Sequence, residues 1–306
     1  MENAETGTET DWLVDNAASA QGPRMVMPQS CPTCGNSPPG QSMHDLPMLP
    51  AAAFVYAVGR IGYRFPRLSV EKEFAQATGR AETARLTDQH AFHQVLSHPH
   101  NRYLARQLCW VLTIEGLDTY LLHPRDPAGL DLLIDALRPS PVEMDIDVVI
   151  GVRGPIAPPD ACNGLTLPTV LFDQIYSFDR AALIKEIPRP REAPEEEFRL
   201  AAGELFDRIM QMAGNAGALD EHRALNYLAV RYPPIYATAR EAFQRNLSLT
   251  AVEVRPSAVS GARKVVDVIF SFTNRTTDVV EQFSVRVDVT EEFPFLVTKM
   301  SPFFNR

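Results

Sequence analysis

Val265-Val266-Asp267-Val268-Ile269-Phe270-Ser271-Phe272 and, further on, Phe283-Ser284-Val285-Arg286-Val287-Asp288-Val289-Thr290 are the stretches whose reading decides the fold class. In the first, Val266, Val268, Phe270 and Phe272 occupy every second position. In the second, Phe283, Val285, Val287 and Val289 alternate with Ser284, Arg286, Asp288 and Thr290. Side chains on a strand point to opposite faces in turn, so a period of two means β-strands with one buried face. Upstream the period changes. Phe198, Ala201, Leu205, Ile209 and Met212 recur at helical spacing, and further helices are expected near 219–231 and 234–245.

Between these helices and the rest of the chain lies Pro188-Arg-Pro-Arg-Glu-Ala-Pro-Glu-Glu-Glu197, which combines three prolines with a charge run. It reads as a linker over 188–197. Before it, Phe54-Val55-Tyr56-Ala57-Val58 is a short strand. A helix follows with Ser69 as its N-cap, Glu71 and Glu73 in its first turn, Val70, Phe74 and Ala77 on its apolar side, and Gly79 at its end. A second helix begins at Thr87 or Asp88 and carries Ala91, Val95 and Leu96. Cys109–Ile114 and Leu117–Leu122 flank Glu115-Gly116 as a β-hairpin. Leu130–Leu137 is a helix, 145–152 and 169–176 are strands, and 179–187 is a short helix. The fold class is therefore α+β, with mixed helices and mainly antiparallel β-hairpins. The expected division is an acidic, disordered tail (1–30), a metal knuckle and linker (31–50), an N-terminal α+β half (51–187), the linker, and a C-terminal half of helices then hairpins (198–306). The two halves are able to pack as one domain.

The chain has 306 residues, 45% of them hydrophobic and 22% charged, the balance of a globular protein with a real core. A formal charge of −9 argues against non-specific nucleic-acid binding, which needs cationic side chains. No apolar run approaches the roughly 20 residues needed to span a bilayer. The acidic N-terminus lacks a signal-peptide core. A soluble, cytoplasmic protein with no membrane partner is expected.

Cys31-Pro32-Thr33-Cys34-Gly35 is half of a metal site, because two thiolates separated by two residues can chelate one ion. The chain has four cysteines in all, the others being Cys109 and Cys162. The expectation is a structural zinc held by Cys31, Cys34, Cys109 and Cys162, stapling the N-terminal segment to the body. A closed shell of four sulfurs leaves no place for a reactive water, so such an ion stabilises and does not catalyse. Two alternatives remain open here: a histidine replaces a distal cysteine, or Cys109 is a buried apolar thiol. A redox Cys-x-x-Cys is disfavoured, since no strand precedes Cys31. His90, His93, His98, His100 and His123 lie close in sequence but lack a His-Glu-x-x-His pattern, and read as packed or solvated side chains. Ser69-Val70-Glu71-Lys72 fits Ser-x-x-Lys, yet its companion motifs are absent and a capping serine explains it. Asp145 with Asp147, and Asp173 with Asp179, are paired carboxylates able in principle to do acid–base work; a solvated face is the expectation.

Longer strings carry a family resemblance. They include Gly59-Arg60-Ile61, Arg64-Phe65-Pro66, Ser69–Phe74, Asn101-Arg102-Tyr103-Leu104-Ala105-Arg106-Gln107-Leu108-Cys109-Trp110, Asp147–Gly151, Phe172-Asp173-Gln174-Ile175-Tyr176-Ser177-Phe178-Asp179 and Val287-Asp288-Val289-Thr290-Glu291-Glu292-Phe293-Pro294. Over about Cys31 to Arg306 the chain resembles the domain of unknown function at the C-terminus of the cyanobactin maturation proteins PatG and PatA. It departs from the full maturation protein in carrying neither a subtilisin-like protease domain nor a macrocyclase triad, so protease activity is not carried over. The resemblance implies a zinc-bearing accessory domain, able to form a homodimer, in the maturation of ribosomal peptides. The expected function is a non-catalytic recognition domain for a precursor peptide or a maturation enzyme, with zinc as its structural cofactor. The alternatives are a peptide-tailoring enzyme, with Glu115, Arg153, Asp173 and Tyr176 as candidates, and a structural dimerisation module.

Overall fold

The computed structural model describes residues 53–80, 88–141, 145–179, 195–210 and 214–304. All of them fall within one compact unit, Pro50–Arg306. The Glu115-Gly116 turn takes positive φ at both residues (49° and 80°), the backbone of a tight hairpin, and joins β2 (Cys109–Ile114) to β3 (Leu117–Pro124). β1 (Phe54–Arg64) pairs with β2 through its second half and with β4 (Asp145–Ile156) through its first. β5 (Pro168–Asp179) pairs antiparallel with β4 and parallel with β3, closing a five-stranded barrel in the order β1-β2-β3-β5-β4. The sequence reading names one of these pairings, the β2–β3 hairpin; the other three antiparallel pairings and the parallel one come from tertiary closure.

β1 is apolar at consecutive positions because both its faces are covered. Val55 and Ala57 join a core shared with α1 (Leu68–Arg80), α2 (Asp88–Ser97), α3 (Arg102–Gln107) and α4 (Gly129–Ala136). Tyr56 and Val58 face a second cluster with Tyr176 and Tyr227. In the first core Phe92 stacks between Tyr63 and Phe74, at centroid distances of 3.7 and 4.0 Å, and Trp110 donates Nε1–H to Ala105 O at 2.9 Å. Each such side chain contributes about 1.5–3 kcal/mol by leaving water.

α5 (Glu195–Met210), α6 (Asp220–Arg231) and α7 (Pro234–Gln244) cover one face of an antiparallel sheet, β6 (Leu247–Pro256), β7 (Val265–Asn274), β8 (Val280–Asp288) and β9 (Phe295–Pro302), in that order. The predicted inward sets Val266, Val268, Phe270, Phe272 and Val285, Val287, Val289 are buried there with Leu205, Leu225, Leu228 and Ile235.

The barrel and the sheet are joined along β1. Its first half has no partner on the β2 side, and the residues leading into α6 seal that edge. Tyr56 N–H donates to Gly217 O at 2.9 Å, and Asn226 Nδ2 donates to Tyr56 O at 2.8 Å. Asn215 and Asn226 exchange amide hydrogen bonds of 2.7 and 3.2 Å, and Tyr120 Oη donates to Ala216 O. Gly217 has φ +71°, and a Cβ there would lie 2.4 Å from Tyr56 O, so glycine is required by both backbone and space.

Three expectations change. α1 starts at Leu68, with the amides of Val70 and Glu71 on Arg67 O, so Ser69 lies inside the helix and is not its cap. Asp179 belongs to β5 where a helix was expected, and 180–187 lie outside the described residues. Asp145 and Asp147 are buried, 5% and 1% exposed, and do not form a solvated face.

Candidate functional site

The connection between β4 and β5 folds back on itself, Ala157 N–H donating to Leu167 O at 2.8 Å and Gly164 N–H to Pro159 O at 2.7 Å. This places Cys162 against Cys109 at the start of β2. The two are joined as a disulfide, with Cα atoms 6.0 Å apart, in an apolar nest of Val111, Leu121 and Ala157. So the two cysteines remote in sequence do meet. Cys31 and Cys34 lie outside the described residues. Among the described residues no three His, Cys, Asp or Glu side chains gather as a metal site. Opened to thiolates, Cys109 and Cys162 are soft donors close enough to share one ion, and fit half of a four-sulfur zinc shell. Cys162 also lines a cavity of about 680 Å³, whose wall includes Arg64, Arg67, Glu71 and Gly164.

Three of the histidines have partners of their own, away from β2 in sequence. His93 and Ser97 interact along α2, and His98 Nδ1 accepts from His100 N–H at 3.3 Å, with ring centroids 5.1 Å apart. Ser69 and Lys72 are both exposed on α1.

Asp147 is held by the body. Oδ2 accepts from Ile61 N–H at 2.7 Å, and Oδ1 accepts from Ser177 Oγ at 2.6 Å and from Arg138 at 3.2 Å. Burial pushes its carboxyl up, opposed by those three hydrogen-bonding and charged neighbours. Arg138, in the left-handed region at φ 35°, also meets Asp145 at 3.4 Å. This network ties the end of α4 to β4 and β5; its lone pairs are occupied by partners, as structural carboxylates require.

Asp173 behaves differently. Ile150 pairs with Gln174 but Gly151 with Phe172, so Asp173 is the extra residue of a β-bulge. A Cβ on Gly151 would lie 2.3 Å from Leu171 O, which is why the bulge faces a glycine. The bulge turns Asp173 toward Arg125 (3.0 Å) and toward Glu292, in the loop between β8 and β9, which Arg125 reaches at 3.8 Å. Glu292 is raised to about 7, first by burial and then by its hydrogen bond with Asp173 and that residue's charge. Arg223, 2% exposed, fixes the same loop by donating to the carbonyls of Val289, Glu291 and Glu292. Of the four enzyme candidates, Asp173 is the one that meets a second carboxylate. Glu115 sits in the hairpin turn, Arg153 is exposed on β4, and Tyr176 lies 4.2 Å beneath the Arg231 guanidinium. Sequence reasoning did not find Arg125, Arg223 or Glu292 as partners, because no local spacing connects residues that meet only through the fold.

No helix among the described residues is long and apolar enough to cross a membrane. Residues 192–303 match the family described as PatG C-terminal. No curated protein matches. Among solved structures, the PatG Domain of Unknown Function superposes with a TM-score of 0.67 at 21% identity, covering 82% of this chain and 99% of that chain. The resemblance drawn from the sequence therefore stands: residues 192–303 carry the PatG C-terminal pattern, and the chain has the fold of the PatG domain of unknown function.

Proposed function

We propose that this protein is a non-catalytic recognition domain in the maturation of ribosomally made, cyanobactin-like peptides, braced by a structural zinc on Cys31, Cys34, Cys109 and Cys162. The observation that carries the recognition reading is the open sheet within the PatG C-terminal match. Among the described residues β9 pairs only with β8, and it presents Phe295 and Val297, 46% and 37% exposed, on its outer face. Part of that edge is already taken, Met300 N–H donating to Tyr232 Oη at 2.9 Å; the remaining backbone groups of such an edge strand accept an extended peptide by strand addition, and alternate side chains supply selectivity. The occupant is the precursor peptide; a maturation enzyme offering an extended segment is the rival partner. Calorimetry with the co-encoded precursor tests this. Binding weakened about tenfold by Phe295→Lys with Val297→Lys supports it. No binding, or binding indifferent to both substitutions, refutes it.

The proximity of Cys109 and Cys162, Cα atoms 6.0 Å apart, supports the zinc only with their bond reduced, when the pair offers two of the four sulfurs at one place. When bound, the ion would fasten the Cys31–Cys34 knuckle to the body and leave no open coordination position.

One observation favours a tailoring enzyme instead: Asp173 and Glu292 form a carboxyl pair with Glu292 raised to about 7, a value suited to proton transfer. Incubation of precursor with pure protein decides between the readings. An unchanged mass supports recognition, whereas a mass change abolished by Glu292→Gln supports catalysis.

A further inference from the structure

We infer that residues 291–293, in the loop between β8 and β9, are a proton-operated latch: the span lies against the barrel while Glu292 and Asp173 share one proton, and lets go when both carboxyls are charged. The latch acts in the free protein, so it stands or falls apart from the recognition and zinc readings.

The loop is pinned at both ends. Val289 N–H donates to Lys264 O at 2.8 Å, Thr290 N–H to Asp288 Oδ1 at 2.9 Å, and Lys264 N–H to Thr290 Oγ1 at 2.8 Å. On the far side Pro294 is buried, and β9 begins at Phe295. Between these anchors Arg223 of α6 donates to Glu291 O and Glu292 O, and the Glu292 side chain reaches the barrel. Phe293 is 48% exposed and gives the span little packing.

Glu292 is placed as an acid and not as a carboxylate. Its Oε1 is buried and has no hydrogen-bond partner among the described residues. Its Oε2 lies 3.8 Å from Arg125, whose nearer partner, at 3.0 Å, is Asp173. A buried oxygen without a donor costs far more on a charged carboxylate than on a neutral carboxyl. The groups facing Glu292 are Asp173 on β5, Arg125 after β3 and Arg223 on α6. Arg223 also meets Asp220 at 3.3 Å, Asp220 meets Lys264 at 3.4 Å, and Glu291, the neighbour in the loop, is exposed. Burial holds Glu292 up at about 7, helped by the hydrogen bond with Asp173 and its charge, and opposed by Arg125 and Arg223.

Below that pH the neutral carboxyl donates its proton to Asp173, whose charge Arg125 balances. As pH rises through about 7 the proton passes to water, and two carboxylates face each other across one guanidinium. Like charges in a partly closed site repel, and Glu292 regains hydration by turning outward. The span then loses its side-chain hold on the barrel while Val289, Thr290 and Pro294 stay in place. Phe293 shifts beside Phe295, at the head of β9.

The test is hydrogen exchange by mass spectrometry on the full chain at pH 6 and pH 8, with the intrinsic pH dependence of exchange divided out. Carbon-13 NMR follows the Glu292 carboxyl over the same range. The carboxyl should titrate near 7. Protection of the 291–293 amides should fall about threefold to tenfold between the two pH values, with β7 and β8 unchanged. Glu292→Gln keeps a donor toward Asp173 without the charge, and should hold its protection at both. Asp173→Asn should bring the Glu292 midpoint down. Equal protection of the wild-type span at pH 6 and pH 8 overturns the latch, and so does an equal fall in Glu292→Gln. A Glu292 midpoint near 4.5, or one that Asp173→Asn leaves in place, overturns the shared proton. Should Glu292→Gln fail to fold, the wild-type comparison decides by itself.

Discussion

Asn226 is the residue whose loss should cost the described body most per atom removed. Its side chain is 0% exposed; Nδ2 donates to Tyr56 O on the unpaired half of β1, and both amide ends engage Asn215, which is 3% exposed. Asn226→Ala removes three hydrogen bonds and leaves two buried groups, the Tyr56 carbonyl and the Asn215 amide, without that partner. Each orphaned buried group costs about 1–3 kcal/mol, so the expected loss is about 3–4 kcal/mol. For a chain of this size that lowers the thermal midpoint by roughly 5–7 °C. Urea unfolding followed by tryptophan fluorescence, with Trp110 in the barrel core, and by far-ultraviolet circular dichroism is the assay. The two probes should give coincident curves in wild type, because Asn226 and Gly217 bind α6 and its lead-in to the barrel. A loss below about 1 kcal/mol, or curves that separate in wild type, would refute the claim that this seam joins barrel and sheet.

Glu292 gives a pH signature. Its folded value of about 7 lies above the ordinary 4.5, so the folded state binds the proton more tightly. The stability it adds is whole below about 4.5 and is lost as pH rises through about 7. The shift would carry about 3 kcal/mol in a dry site; with a side chain partly open to water, about 1–2 kcal/mol is expected. Urea midpoints at pH 5 and pH 8 should differ in that sense, and Glu292→Gln should flatten the difference. Gly151→Ala places a Cβ 2.3 Å from Leu171 O and 2.6 Å from Phe172 Cα, both backbone. A destabilisation of about 2–4 kcal/mol is expected, measured by thermal melting; an unchanged midpoint would mean the bulge at Asp173 is not held tightly.

The sequence showed the elements better than their assembly. Alternation revealed β7 and β8, although β7 is buried on both faces from Val265 to Phe272. β6 escaped because its register slips between Leu249 and Ala251: Leu247 and Leu249 point inward, then Val252 and Val254 do, and the inserted Thr250 breaks the period. β9 escaped because Phe295 and Val297 are exposed while Leu296 and Met300 pack inward, so apolar residues mark both faces. The same spacing that made Asp145 and Asp147 share a side of β4 could not say that Arg138 would be there to meet them. Cysteine counting expected Cys109 and Cys162 as two of four ligands on one ion, and the structure brings these two together. The pairing came out as a bond, which periodicity and spacing cannot distinguish from a shared metal.

The most direct test of recognition is hydrogen exchange on the protein with and without the co-encoded precursor peptide. A strand added to the edge protects those β9 amides that neither β8 nor Tyr232 already holds, so slowed exchange should concentrate in Phe295–Pro302 outside Met300. Exchange unchanged along β9, or protection gathered instead around Asp173 and Glu292, would contradict the account.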